Sequence, residues 1–189
     1  GNIGPNINTN KADVLIAVGM RFDDRVTGDT SKYAPQAKVV HIDIDPSEIN
    51  KNIKVTASVV GDAKAVLSRL LPHITEASHK EWLMTFERPE AVEYEKVIKI
   101  ETEPSEGMMN MGEVAMKVSE ASYHNAILVT DVGQNQMLSA RYFKFNDTNS
   151  IVTSGGLGTM GFGLPAAIGA KIGRPDRQVC LFVGDGGLQ

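Results

Sequence analysis

The sequence predicts an α/β protein built from two doubly wound parallel-sheet units joined by a helical linker. Three observations carry this reading. Short runs rich in Val and Ile end in glycine or acid, as strands of a covered parallel sheet do. Helical patterns alternate with those runs, which is the signature of parallel strands with crossover helices. A charged, proline-interrupted stretch at residues 76–106 separates two such regions, so the expected organisation is 1–75, 76–106 and 107–189.

Taken in order, residues 13–18 form a short apolar run closed by Gly19, residues 38–44 a second that ends in acid, and residues 55–60 a third that ends at Gly61-Asp62. Residues 63–71 read as a helix with Ala65, Val66 and Leu70 near one face, stopped by Pro72. Residues 79–103 are charged, with Trp82, Leu83 and Phe86 as apolar points and Pro89 in the middle, and read as two short bridging helices with Trp82 and Phe86 as docking side chains. Residues 101–105 are a linker. The second unit opens with Asn110-Met111-Gly112-Glu113, which has the form of a capping box, followed by Val114, Ala115, Val118 and Ala121 on one face. Then come a strand at 126–130, a helix near 136–143, a short strand at 151–153, a helix at 164–172 and a last strand at 179–183.

Composition excludes several classes. With 189 residues, 42% hydrophobic and 22% charged, the chain is an ordinary globular protein of one large or two small domains. A net charge of −4 and no lysine-rich stripe leave no footprint for nucleic acid. No apolar run approaches the length of a membrane span, and no signal peptide is visible. Cys180 is the single cysteine, read as an inert buried thiol, and this usage fits a reducing cytoplasm. The four histidines, His41, His73, His79 and His124, show no metal-ligand spacing. A start at Gly1 without an initiator Met, and an end one turn after a strand, predict a piece of a larger protein.

The chemistry concentrates at three strand ends of the second unit: residues 131–136, residues 154–165 and Gly184-Asp185-Gly186-Gly187. Ligands of parallel α/β sheets bind at the carboxyl ends of the strands, so three polar or glycine-rich loops on that edge predict a cofactor site. Asp185 is a lone carboxylate after an apolar run. It is either a turn residue or a ligand for a hard cation such as Mg²⁺, which favours oxygen and bridges carboxylates to phosphates. Glycines beside it let backbone N–H groups approach phosphate oxygens. Gly156-x-Gly158-x-x-Gly161 has a dinucleotide-type pattern, but the next strand-end acid, Asp185, lies 29 residues on, where a ribose-binding acid is expected at roughly 20. Nicotinamide binding is therefore the runner-up. Met160, a bulky thioether among glycines, is either core filler or a prop beneath a flat ligand.

Residues 155–169, with residues 130–137 and the Gly184-Asp185-Gly186 start, resemble the diphosphate-binding domain of thiamine-diphosphate enzymes, and the wording of residues 155–167, Gly-Gly-Leu-Gly-Thr-Met-Gly-Phe-Gly-Leu-Pro-Ala-Ala, resembles that of the catalytic subunits of acetolactate (acetohydroxyacid) synthases. Residues 19–28, Gly-Met-Arg-Phe-Asp-Asp-Arg-Val-Thr-Gly, and residues 41–46, His-Ile-Asp-Ile-Asp-Pro, resemble the central, FAD-binding domain of the same enzymes. The resemblance covers essentially the whole chain. It implies that Gly19, Arg21, Arg25 and Val26 meet FAD, that Asp43 sits at its adenosine ribose, and that Ile44, Glu48, Gly61 and Asp62 complete that site. Asp23, Asp24 and Arg25 would otherwise be a solvated charge cluster. Gln134 and Asn135 would touch thiamine diphosphate, with Asn135 standing where the family usually has His. Gly158, Thr159 and Met160 would line its rings, Met160 as the catalytic prop that keeps the cofactor bent. Asp185 would bind Mg²⁺, and Gly186 and Gly187 would hold the diphosphate. The implied reaction condenses two pyruvates, or pyruvate with 2-ketobutyrate, and releases CO₂, in branched-chain amino acid biosynthesis. Implied partners are 2-keto acids, further copies in a homodimer or larger oligomer, and a small regulatory subunit. The family's activating glutamate and an Asn-bearing segment beyond Asp185 fall outside these residues, so the chain alone is expected to be inactive. Competing expectations are another thiamine-diphosphate decarboxylase or oxidase, or a non-catalytic nucleotide-binding module.

Overall fold

The computed structural model describes residues 2–104 and 106–189; Gly1 and, in the predicted linker, Ser105 lie outside the described residues. The chain falls into two compact units, one closing at Glu93 and the other running from Tyr94 to Gln189, so the stretch 76–106 is shared between them. Each is a three-stranded parallel sheet with flanking helices.

In the first unit, α1 (Ile3–Thr9) leads into β1 (Val14–Val18), α2 (Asp24–Thr27), β2 (Lys38–Asp43), β3 (Ala57–Val60), α3 (Ala63–Leu70) and α4 (Lys80–Glu93). The sheet order is β1-β2-β3, with Val18 beside Ile42 and Asp43 beside Val60, so the three strands finish at one level. Ala17, Phe22 and Val39 form the buried cluster, with Tyr33, Ile53 and Val55 packed around it. β1 is covered on one side only, with Ile16 56% exposed, whereas the consecutive His41, Ile42 and Asp43 of β2 are all buried.

Pro89 does not divide the charged stretch. It lies inside α4, a single helix of 14 residues, and the second helical piece begins at a π-helical stretch, Tyr94–Ile98, before α5 (Lys99–Thr102). A proline inside a helix removes one hydrogen bond and crowds the preceding turn. Packing outweighs that cost here, because α4 lies against α1. A Cβ on the buried Gly4 would meet Phe86 and Glu90 at 3.4 Å. The buried Glu93 also accepts a hydrogen bond from Ile3 N at 2.9 Å, capping α1, whose own N-cap Asn2 makes no side-chain bond. Trp82 is not buried by docking; it stays 49% exposed, edge-on to Phe86 with ring centroids 4.8 Å apart.

The second unit contains α6 (Met111–Ala121), β4 (Ile127–Thr130), α7 (Gln134–Tyr142), β5 (Ile151–Thr153), α8 (Gly163–Gly173), β6 (Val179–Phe182) and α9 (Asp185–Leu188). Its sheet order is β5-β4-β6, so the chain reverses direction about a central β4 whose four residues are all buried. The reversal makes the carboxyl edge of β4 a topological switch point, the place where ligands of open α/β sheets bind. Ala126, Leu128 and Phe143 form the core, with Phe145 and Phe182 against Phe143 at centroid distances of 5.2 and 6.5 Å. At the opposite edge the buried Arg177 donates to the carbonyls of Asn125 and Ala126 and to Ser150 Oγ.

The capping box at Asn110 is not formed. Asn110 is the N-cap of α6, but its amide donates to Ile100 O at 3.0 Å instead of accepting from the helix. Glu113 is 4% exposed and faces Lys117 at 3.7 Å. The competing partner is α5, which packs so closely on α6 that a Cβ on Gly112 would sit 2.7 Å from Glu101 O. Cys180 is half-buried rather than enclosed, and burial pushes its thiol pKa up, which keeps it in the unreactive protonated form. Among the described residues no helix is long and apolar enough to cross a membrane.

Candidate cofactor sites at the carboxyl edges of the sheets

Both units place their sequence-predicted site residues at the carboxyl ends of their strands. In the first unit, Gly19, Asp43 and Gly61 each follow or end a strand. Gly19 N donates to Ile42 O and Gly61 N to Asp43 O, both at 2.8 Å. Gly19 has φ of +61°, a conformation open to glycine at little cost. Gly19, Asp43, Ile44, Gly61 and Asp62 line one cavity of about 190 Å³. Asp43 is buried and accepts from Asp45 N, while Asp62 caps α3 through Ala65 N at 2.9 Å. Arg25 and Val26 line a different cavity, of about 570 Å³, with Asn6, Thr9, Asn10 and Tyr33 from the neighbouring α1 and loop. The charge cluster is locally ordered: Asp23 caps α2 through Val26 N and pairs with Arg21 at 2.9 Å. Glu48 lines neither cavity and pairs with Lys51 at 2.7 Å.

In the second unit the three loops converge. Thr130, at the end of β4, lies beside Thr153 and Phe182 in the ladder, so residues 131, 154 and 183 leave the sheet together. Thr130 Oγ1 bonds Thr153 Oγ1 at 2.7 Å, and Gln136 Nε2 bonds the same hydroxyl at 2.8 Å. Gln134 opens α7, and Asn135 donates to Val132 O while its Oδ1 is a buried acceptor with no partner. The glycine loop is shaped by Ser154, whose carbonyl accepts from Gly158 N and whose hydroxyl accepts from Thr159 N. Met160 is 59% exposed, and a Cβ on Gly186 would sit 3.0 Å from its Cε. Asp185 is exposed in the first turn of α9, where a carboxylate is favoured by the helix N-terminus. The segment 184–187 is thus a helical turn rather than a β-turn, and β6 before it is only half-buried.

Sequence reasoning passed over Asp131. It is fully buried at the end of β4 and accepts hydrogen bonds from Val132 N at 2.8 Å, Gly163 N at 2.7 Å and Gly161 N at 3.3 Å. The Gly163 N–H above all, then those of Val132 and Gly161, hold its carboxyl below the usual carboxylate range against the opposing effect of burial. The signal was present: an acid directly after the apolar run 126–130 is the pattern that singled out Asp185.

Residues 5–70 match the central domain of thiamine pyrophosphate enzymes, and residues 131–189 match their C-terminal, thiamine pyrophosphate-binding domain. The chain belongs to the thiamine pyrophosphate enzyme family. Its two matched segments fall in different units, one central-domain and one C-terminal-domain segment, as the family arranges them in sequence. Relatives of this thiamine pyrophosphate enzyme segment include the probable acetolactate synthase large subunit of Methanocaldococcus jannaschii, 43% identical over all of this chain and 32% of that protein. The acetolactate synthase large subunit of Lactococcus lactis is 41% identical over all of this chain and 32% of its own length. The acetolactate synthase isozyme 3 large subunit of Escherichia coli is 38% identical over all of this chain and 33% of its length. The chain therefore spans about a third of the length of these relatives.

The second-unit edge fits thiamine diphosphate. Gly156 and Gly161 have open space where a side chain would stand, and the orphan Asn135 Oδ1 offers a buried acceptor. For a cation the chain offers Asp185, and among the described residues no three His, Cys, Asp or Glu groups converge.

Proposed function

We propose that this chain is part of an acetolactate synthase large subunit, acting on 2-keto acids: it condenses two pyruvates, or pyruvate with 2-ketobutyrate, with release of CO₂. The convergence of three glycine- and amide-bearing loops on the switch point of the second sheet carries the reading, and the similarity to acetolactate synthase large subunits along the whole chain supports the reaction class.

Thiamine diphosphate, when bound, supplies the electron sink for decarboxylation. The chain's residues bind and orient it. Asp185 would hold Mg²⁺ through a carboxylate oxygen, the ligand type this ion favours, and the ion would neutralise charge on the diphosphate. Gly186 and Gly187 would hold the diphosphate at this turn, where the missing side chain of Gly187 makes room for Asp131 beneath it. Asn135 and Gln134 contribute hydrogen bonds from the start of α7. Gly158 and Thr159 would line the rings, and Met160, resting on the Gly186 turn, would be the prop beneath them. In the first unit Gly19, Asp43, Ile44, Gly61 and Asp62 would hold part of FAD, Asp43 accepting from ribose hydroxyls, and Arg21, Arg25, Val26 and Glu48 would hold the rest. A 190 Å³ cavity holds only a portion of such a ligand, so the remainder lies along the outer residues. The relatives' designation as large subunits supports a small regulatory partner, and we further propose that the full-length enzyme works as a homo-oligomer in the cytoplasm.

The test is CO₂ release from pyruvate by the full-length protein with thiamine diphosphate, Mg²⁺ and FAD, with acetolactate as the product. Cofactor binding without CO₂ release returns the chain to a nucleotide-binding module.

A further inference from the structure

Asp131 has an unusual set of neighbours. Its carboxylate is fully buried, and its hydrogen bonds come from backbone N–H groups: Val132 on its own loop, and Gly161 and Gly163 on the loop after β5. The N-cap of α8, Phe162, has no side-chain cap, so Asp131 caps that helix from another strand. From the third loop, the buried Gly187 presses on the same carboxylate. A Cβ at 187 would sit 2.5 Å from Asp131 Oδ1, a distance no side chain tolerates. At Gly163 a Cβ would sit 3.0 Å from Asp131 Cβ and 2.9 Å from Leu181 Cδ1. One carboxylate therefore touches all three loops of the switch point. Met160 reaches Gly186 across the outer side of the same two loops.

We infer that Asp131 is a positioning residue: from beneath the site it holds the glycine loop that carries Thr159 and Met160 in register with the Gly184–Leu188 turn that carries Asp185. The inference rests on the proposed thiamine-diphosphate site. An anion is required because three N–H groups point at two oxygens, an arrangement that strengthens charged acceptors. An amide in its place keeps the shape but turns an N–H toward a backbone N–H. The start of α8 or the Val132–Gly161 pair then moves away, and the two loops lose their common anchor without losing any group that touches the cofactor.

The experiment uses the full-length protein. Thiamine diphosphate with Mg²⁺ is titrated calorimetrically into wild type, Asp131→Asn and Gly163→Ala, and pyruvate KM is measured at saturating cofactor. Losing one charge-assisted hydrogen bond at the anchor is expected to raise the cofactor dissociation constant about 10- to 100-fold. Pyruvate KM at saturating cofactor should stay within about twofold of wild type, a split that general destabilisation does not produce. Wild-type affinity in a folded Asp131→Asn or Gly163→Ala overturns the inference while leaving the proposed function intact. If Asp131→Asn does not fold, Gly163→Ala decides, since it keeps the carboxylate and forces the helix start away from Asp131 and Leu181. Failure of both to fold makes Asp131 a folding residue and overturns the positioning role. A wild-type protein that binds no thiamine diphosphate removes the proposed function and this inference with it.

Discussion

Asp131 and Asp185 are both acids that follow apolar strands, yet they meet opposite surroundings. Asp185 faces water in the first turn of α9, whereas Asp131 is enclosed and served by three backbone N–H groups. Because the folded-state pKa of Asp131 is depressed, its contribution to stability is present above the unfolded carboxylate value of about 3.9 and is lost as pH falls through the lower folded value. Asp131→Asn should therefore lower stability at neutral pH and flatten the acid limb of a plot of denaturant midpoint against pH. A limb as steep as wild type counts against the assignment. Met160 gives a second expectation. At 59% exposure it contributes little to the core, so Met160→Ala should change the unfolding free energy read from denaturant midpoints by no more than about 0.5 kcal/mol. In the intact enzyme, turnover at saturating cofactor should fall by on the order of a hundredfold, the cost of a misplacement of about 1 Å. Near-normal turnover beside a large midpoint shift would restore Met160 to the role of packing residue.

At the scale of elements, the six strands and the longer helices were legible because each is a periodic apolar run with a glycine, an acid or a polar loop at its end. β5 coincides with the predicted 151–153, and α8 and β6 differ from prediction by a residue or so. The helices that were not legible are short. α1, α2 and α9 span four to seven residues, too few for an apolar period to show, and α1 is capped by the distant Glu93 on Ile3 N, which no local pattern announces. Two of the misread features share one cause, since contacts from another helix overrode a local signal at both Pro89 and Asn110. Those contacts yield two tests. Pro89→Ala restores a backbone donor inside α4 and should stabilise the protein by about 2 kcal/mol, after the unfolded-state entropy of proline is set against the helix gain. Gly112→Ala forces a Cβ to within 2.7 Å of Glu101 O and 2.9 Å of Tyr142 Cδ2, and overpacking of this kind should cost about 1–3 kcal/mol. Urea unfolding of each variant measures both, and a Gly112→Ala protein as stable as wild type would show that α5 can move away freely.

Across the whole molecule the same plan appears twice: a three-stranded parallel sheet whose carboxyl edge carries the candidate ligand residues. The isolated 189-residue chain should nonetheless bind thiamine diphosphate weakly. Among its described residues Asp185 stands without a converging set of ligand groups, and the chain covers about a third of its relatives. Calorimetric titration with Mg²⁺ and cofactor should show no tight complex; a micromolar dissociation constant would contradict this. The central strand of the second unit also carries a consequence for its response to ions. Its carboxyl end is fixed by a buried anion gathering N–H groups, and its amino end by the buried Arg177 gathering carbonyls. Both charges are balanced by peptide dipoles inside the protein, where dissolved ions do not reach them. Sodium chloride should therefore weaken surface pairs such as Arg174–Asp176 while leaving this strand's two anchors untouched, so that the second unit keeps its core in brine.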